Sequence, residues 1–170
     1  MRRRRLEQRI VQGRPMLLVS LGPQPFFLLN MALVAHIVLR VADYLTIYLS
    51  HPPSPPDLAN VEAAFPLWAW AGALGASAAM IIIGSLDPPR LGTLAMGHAF
   101  ASVLFFMIGA GVFWQRITDN VPGGWRAGAL VASCAITHAL VALATWRRAA
   151  ALKNLADEHG ETVEGLEQAR

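Results

Sequence analysis

The sequence predicts an all-α integral membrane protein, an antiparallel four-helix bundle with both termini cytoplasmic. Three observations predict it. Four apolar segments, at residues 25–49, 66–86, 91–115 and 127–146, fill more than half of the chain. Each is long enough to cross a hydrocarbon core about 30 Å thick, which takes about 20 helical residues at about 1.5 Å rise. Basic residues collect on one side: the six arginines before the first span, Arg90, Arg147, Arg148 and Lys153 stand against Arg116 and Arg126 on the other. Under the positive-inside rule this bias places the N-terminus in the cytoplasm, and four spans return the C-terminus there. The tryptophans Trp68, Trp70, Trp114, Trp125 and Trp146 all fall at expected span boundaries, where an aromatic belt anchors a helix at the headgroups.

Composition agrees with that class. Of 170 residues, 55% are hydrophobic and 15% charged, with a net charge of +3. Three domains follow: a basic segment at 1–24, the four-span region at 25–146 and a charged tail at 147–170. No room remains for a soluble catalytic domain. Thirteen of the fourteen basic residues are arginine, and Ala, Gly and Pro are abundant, the signature of a GC-rich genome.

Residues 16–21 form a short apolar patch between Pro15 and Pro23, expected at the membrane interface. The first apolar run is too long for a signal-peptide core and is followed by His51, Pro52 and Pro53, so a retained span is expected. The proline-rich stretch 51–56 reads as stiff and extended. The external loop 50–65 carries Asp57 and Glu62 and no Lys or Arg. Asp87, Pro88, Pro89 and Arg90 predict a tight cytoplasmic turn, making spans two and three a hairpin; residues 120–124 predict an outer turn. The tail, with Leu152, Leu155, Val163 and Leu166 at loosely helical spacing, reads as an extension of the last helix, which Gly160 and Gly165 weaken beyond its first two turns.

Polar residues inside the spans carry the functional question. His36, Arg40 and Asp43 share one stripe of the first span. Charges there must be paired or hydrated, and Arg40 with Asp43 is the expected pair. It either locks the helix against its neighbours or lines a polar path. From the cytoplasmic side, His36 lies about 15 Å deep, His98 about 10 Å and His138 about 14 Å. Three imidazoles in one layer are the candidates for a cofactor, a metal or a proton relay, with His36 and His138 the best-matched pair. The plainer reading is that each makes an interhelical hydrogen bond. No cofactor or metal site is expected.

Small residues at Gly72, Gly75, Ala79, Gly97 and Ala101 predict close helix packing, within the chain or between copies. The lone Cys134 reads as a packing residue. The Arg2–Arg5 run is a topology anchor or an anionic-lipid contact. Ser77, Ser85, Ser102 and Ser133 have no partner at a diagnostic spacing, and no catalytic motif is present. The chain is not expected to be an enzyme.

His36, Tyr48 with Leu49, Ser54 with Pro55, and Glu62 ahead of Pro66, Leu67 and Trp68 form a recurring order of features. Gly97 with His98, Arg116, Gly124 with Trp125 and Arg126, and His138 continue it. Over residues 26–148 this pattern resembles a group of four-span membrane proteins of actinobacterial bacteriophages, often encoded near lysis genes. The resemblance implies a holin-like or accessory lysis protein of the host cytoplasmic membrane. The partners expected are the bilayer, further copies of the chain and a lysis-system protein, with no nucleic acid. Two other classes stay open: a histidine-containing redox or proton-coupled membrane protein, and a non-catalytic subunit that docks a partner.

Overall fold

The computed structural model describes residues 23–50, 60–86, 90–119 and 125–168. Every element among them is helical: α1 (Pro23–Ser50), the single turn α2 (Asn60–Ala63), α3 (Leu67–Ser85), α4 (Leu91–Thr118) and α5 (Trp125–Gln168). Four are long and apolar enough to cross a membrane. The protein is a multi-pass membrane protein built as a helical bundle. The apolar patch 16–21, the Arg2–Arg5 run, the prolines 51–56 and both turns, at 87–89 and 120–124, lie outside the described residues.

Pro23, Ser85, Leu91 and Trp146 mark the N-terminal side of the bundle, and Ser50, Leu67, Thr118 and Trp125 the far side. The helices pack in the order α1, α3, α4, α5, with α4 against α5 the most extensive interface. Ile37, Leu74, Ile81, Leu94, Ala101 and Ile108 form the fully buried centre. Leu39, Phe106, Leu130 and Ile136 are exposed on the outer surface. In water such a surface would aggregate; in a bilayer it matches its solvent.

Glycines set two of the closest approaches. A Cβ at Gly84 would run into the Leu94 backbone, so α3 and α4 meet nearly in contact beside their connection. The amide of Arg90 closes that hairpin on the Gly84 carbonyl at 3.0 Å. A Cβ at Gly109 would press on the Ala132 backbone, while Gly128 faces the Gly109 carbonyl, which brings α4 and α5 together. Gly97 packs on Ile81 and Ala101 is fully buried, as their small size predicts.

Gly72, Gly75 and Ala79 behave differently. A Cβ at Gly72 or Gly75 would meet nothing within 4 Å, and Ala79 is exposed, so this stripe faces away from the bundle. The contrast is testable. Gly84→Ala should lower stability by about 1–3 kcal/mol through overpacking. Gly72→Ala should raise it by up to about 1 kcal/mol through helix propensity. Unfolding titrations in mixed micelles, followed by circular dichroism, measure both.

α5 continues through Gly160 and Gly165 to Gln168, past the two turns beyond which those glycines weaken the helical reading. Each glycine costs about 1 kcal/mol of helix propensity, which the neighbouring Ala, Leu, Lys and Glu residues offset. Of the tryptophans, Trp68, Trp114 and Trp146 are exposed at the boundaries. The side chain of Trp125 lies outside the described residues. Trp70 is not a belt residue: it is 4% exposed and turned into the bundle.

Candidate functional site

Two polar clusters occupy the bundle interior, one toward each side. The first is a ladder across α3, α1, α4 and α5. The Ser85 hydroxyl donates to the Ile81 carbonyl at 2.7 Å and accepts from the Asn30 amide nitrogen at 3.4 Å. With that nitrogen committed, the Asn30 carbonyl oxygen accepts from His98 Nε2 at 3.2 Å. His98 Nδ1 then carries the lone pair of a neutral imidazole, and His138 Nδ1 donates to it at 2.9 Å. The chain of partners fixes both tautomers and leaves His138 Nε2 as an acceptor. That atom is buried and has no hydrogen-bond partner. Asn30, His98 and His138 are each no more than 1% exposed.

This geometry decides which histidines meet. The matched pair is His98 with His138, not His36 with His138. His36 turns to the α1–α5 boundary, where its Nε2 stands 3.3 Å from Cys134 Sγ, and its ring lies 5.4 Å from Phe105. Phe105 also stacks on His138 at 5.6 Å. Two nitrogens on one tetrahedral zinc stand about 3.3 Å apart at Zn–N distances of about 2.0 Å. The Nδ1 atoms of His98 and His138 are closer than that and bonded to each other. The pair can accept one proton at His138 Nε2 and pass one from His138 Nδ1 to His98 Nδ1. Transfer ends at Asn30, because an amide does not relay a proton.

The second cluster holds the charges. Arg40 pairs with Glu62, which lies 22 positions along the chain, and Tyr44 donates its hydroxyl to the same carboxylate oxygen. Trp70 Nε1 donates to the Glu62 backbone carbonyl at 3.1 Å, and the Arg40 guanidinium sits 4.8 Å over the Tyr44 ring. Glu62 is 3% exposed. The turn α2 therefore folds inward as a wedge, with Val61 seated against Gly111 of α4. The expected Arg40–Asp43 pair is present but loose, at 3.9 Å with the Asp43 side chain 65% exposed, and the buried Glu62 is the principal partner. A carboxylate held by a guanidinium, a phenol and a fixed backbone satisfies the buried-charge requirement far better than a lipid-facing one.

The sequence places Glu62 in the external loop, with no partner assigned, and does not single out Asn30 or Tyr44. A signal for Asn30 existed. It lies about 10 Å from the start of α1, and His98 about 10 Å from the start of α4, on the same side of the bundle. Nothing comparable points to the burial of Glu62.

The boundary between α1 and α5 is the open one. These helices meet through side chains, His36 with Cys134 and Phe26 with Arg148, with almost no close backbone approach. A cleft of about 620 Å³ lies at its N-terminal side, and Asn30 and Ser85 are among its lining residues. The ladder thus runs from this cleft inward to His138. Searches against protein-family models, curated proteins and solved structures find no match to this chain.

Proposed function

We propose that this chain is a holin-like protein of the host cytoplasmic membrane, which self-associates and permeabilises that membrane during phage lysis. One observation carries the reading: a polar interior lies behind a single weak boundary, α1–α5, whose helices barely touch through their backbones. Opening that boundary exposes Arg40, Glu62 and the histidine ladder together, which gives a wet surface to a lesion shared between copies. Closed, Arg40 and Glu62 neutralise each other, the ladder is paired as far as His138 Nδ1, and the monomer stays benign. The outward stripe of Gly72, Gly75 and Ala79 offers a face for close approach between copies. The resemblance to phage lysis-region proteins points the same way.

Inducible expression in a bacterial host tests this, with a membrane-potential dye and an endolysin reporter outside the cell. Loss of potential and release of endolysin at high expression are the expected results. Persisting potential and viability refute the reading. A His36→Cys variant joined to Cys134 by a short bis-methanethiosulfonate bridge should abolish release, and dithiothreitol should restore it. Gly75→Ile should block self-association, read by crosslinking, while leaving the monomer folded.

The buried His98–His138 pair favours a second reading, a proton-coupled membrane protein. Proton uptake by purified protein, lost in His138→Leu with permeabilisation unaffected, would select it over the first. A Soret band in the purified protein would instead indicate haem.

A further inference from the structure

The cleft between α1 and α5 has the composition of a lipid site. Phe26, Phe27, Leu91, Leu94 and Leu152 give it apolar walls. Its polar groups are few and ordered by depth. Arg148, partly buried, stands over the Phe26 ring at 5.9 Å, at the level where α5 leaves the membrane after Trp146. Asn30 lies one helical turn further in than Phe26, about 6 Å deeper, with Ser85 beside it. A cation at headgroup level beside aromatic and aliphatic walls, over a floor of paired amide and hydroxyl groups, suits an anionic headgroup and the first carbons of its chains. The open α1–α5 boundary lets the chain run out into the leaflet.

We propose that this cleft holds one anionic phospholipid, its phosphate on Arg148 and its glycerol and first chain carbons against Phe27 and Leu91. With the orientation given by the charge bias, the lipid comes from the cytoplasmic leaflet. A basic pocket between spanning helices on that side recognises anionic headgroups. The site is independent of any lysis role, since it requires only the closed monomer. It bears on one all the same: a lipid wedged at the weak boundary ties α1 to α5.

The test is lipid retention. Full-length protein is reconstituted with equimolar phosphatidylglycerol and phosphatidylcholine, extracted in mild detergent and weighed by native mass spectrometry. One retained lipid per chain is expected, with about fivefold preference for phosphatidylglycerol. Arg148→Gln should bring the two lipids to parity. Leu28→Trp, which narrows the cleft from an exposed position, should reduce retention of both while the helical signal is unchanged. Replacing Arg2–Arg5 with glutamine should leave the retained lipid in place, and excess inorganic phosphate should not displace it. Equal retention of both lipids by the wild type overturns the proposal. So does a preference that survives Arg148→Gln, disappears with Arg2–Arg5 or yields to free phosphate, and so does full retention by Leu28→Trp.

Discussion

Arg40→Leu alone should destabilise the bundle by about 3–5 kcal/mol, and Arg40→Leu with Glu62→Leu should recover most of that loss. The single change strands a carboxylate that is 3% exposed, leaving the Tyr44 hydroxyl to hold an uncompensated charge. The double change removes both charges and leaves an apolar contact in their place. Glu62→Gln should also destabilise, because it leaves Arg40 with only the exposed Asp43 carboxylate at 3.9 Å as a counter-charge. Asp43→Asn should move stability by no more than about 0.5 kcal/mol, since its carboxylate is 3.9 Å away and largely exposed. Steric-trapping measurements in bicelles give each free energy, and the double-mutant cycle gives the coupling. Additive losses for Arg40 and Glu62, or a large loss for Asp43→Asn, would show that the charges are not paired this way. Gly111→Ala provides an approach from the other side of the wedge. Its added methyl unseats Val61 and should weaken the Arg40–Glu62 coupling without touching either charge.

The histidine ladder predicts an asymmetry. His98→Leu removes the middle of the chain and leaves two buried groups unpaired, the Asn30 carbonyl and the His138 Nδ1 proton. At about 1–3 kcal/mol per orphaned group, the loss should reach about 2–6 kcal/mol. His138→Leu orphans only the His98 Nδ1 lone pair and removes a nitrogen that has no partner already, so about 1–3 kcal/mol is expected. His36→Leu should fall below both, because its contact is a weak one with the Cys134 thiol at the helix boundary. Equal losses for His98→Leu and His138→Leu would contradict the central place assigned to His98 in the ladder. Nitrogen-15 chemical shifts of the two rings check the same tautomers directly, with His98 protonated at Nε2 and His138 at Nδ1.

Much of this protein is legible in its sequence, and what was missed shares one cause. Arg40 was matched to Asp43 because a three-residue spacing is visible along the chain. That pair forms only loosely, and the closer partner, Glu62, sits 22 positions away, beyond a proline-rich stretch that gives no sign of folding back. His36 was matched to His138 on counted depth, yet His98 and His138 join across 40 positions, and Asn30 reaches His98 across 68. Counting depth ranks candidates but does not say which way a side chain turns around its helix. The glycines divide in the same manner. Gly97 is tightly packed while Gly72 and Gly75 face outward, and all three read alike as small residues in apolar runs.

The sequence by itself determined the four helices long and apolar enough to span a membrane, the charge difference between their two sides and the exposed tryptophans Trp68, Trp114 and Trp146 at their ends. Those properties add up residue by residue against a solvent that imposes a fixed thickness and forbids unpaired backbone. Only the tertiary structure decided that Glu62 enters the bundle, that His98 is the partner of His138, and that α1 and α5 leave a cleft between them. Each of these is a pairing across neighbouring helices. A buried polar group takes whichever partner packing brings within reach, and hydropathy carries no information about that choice.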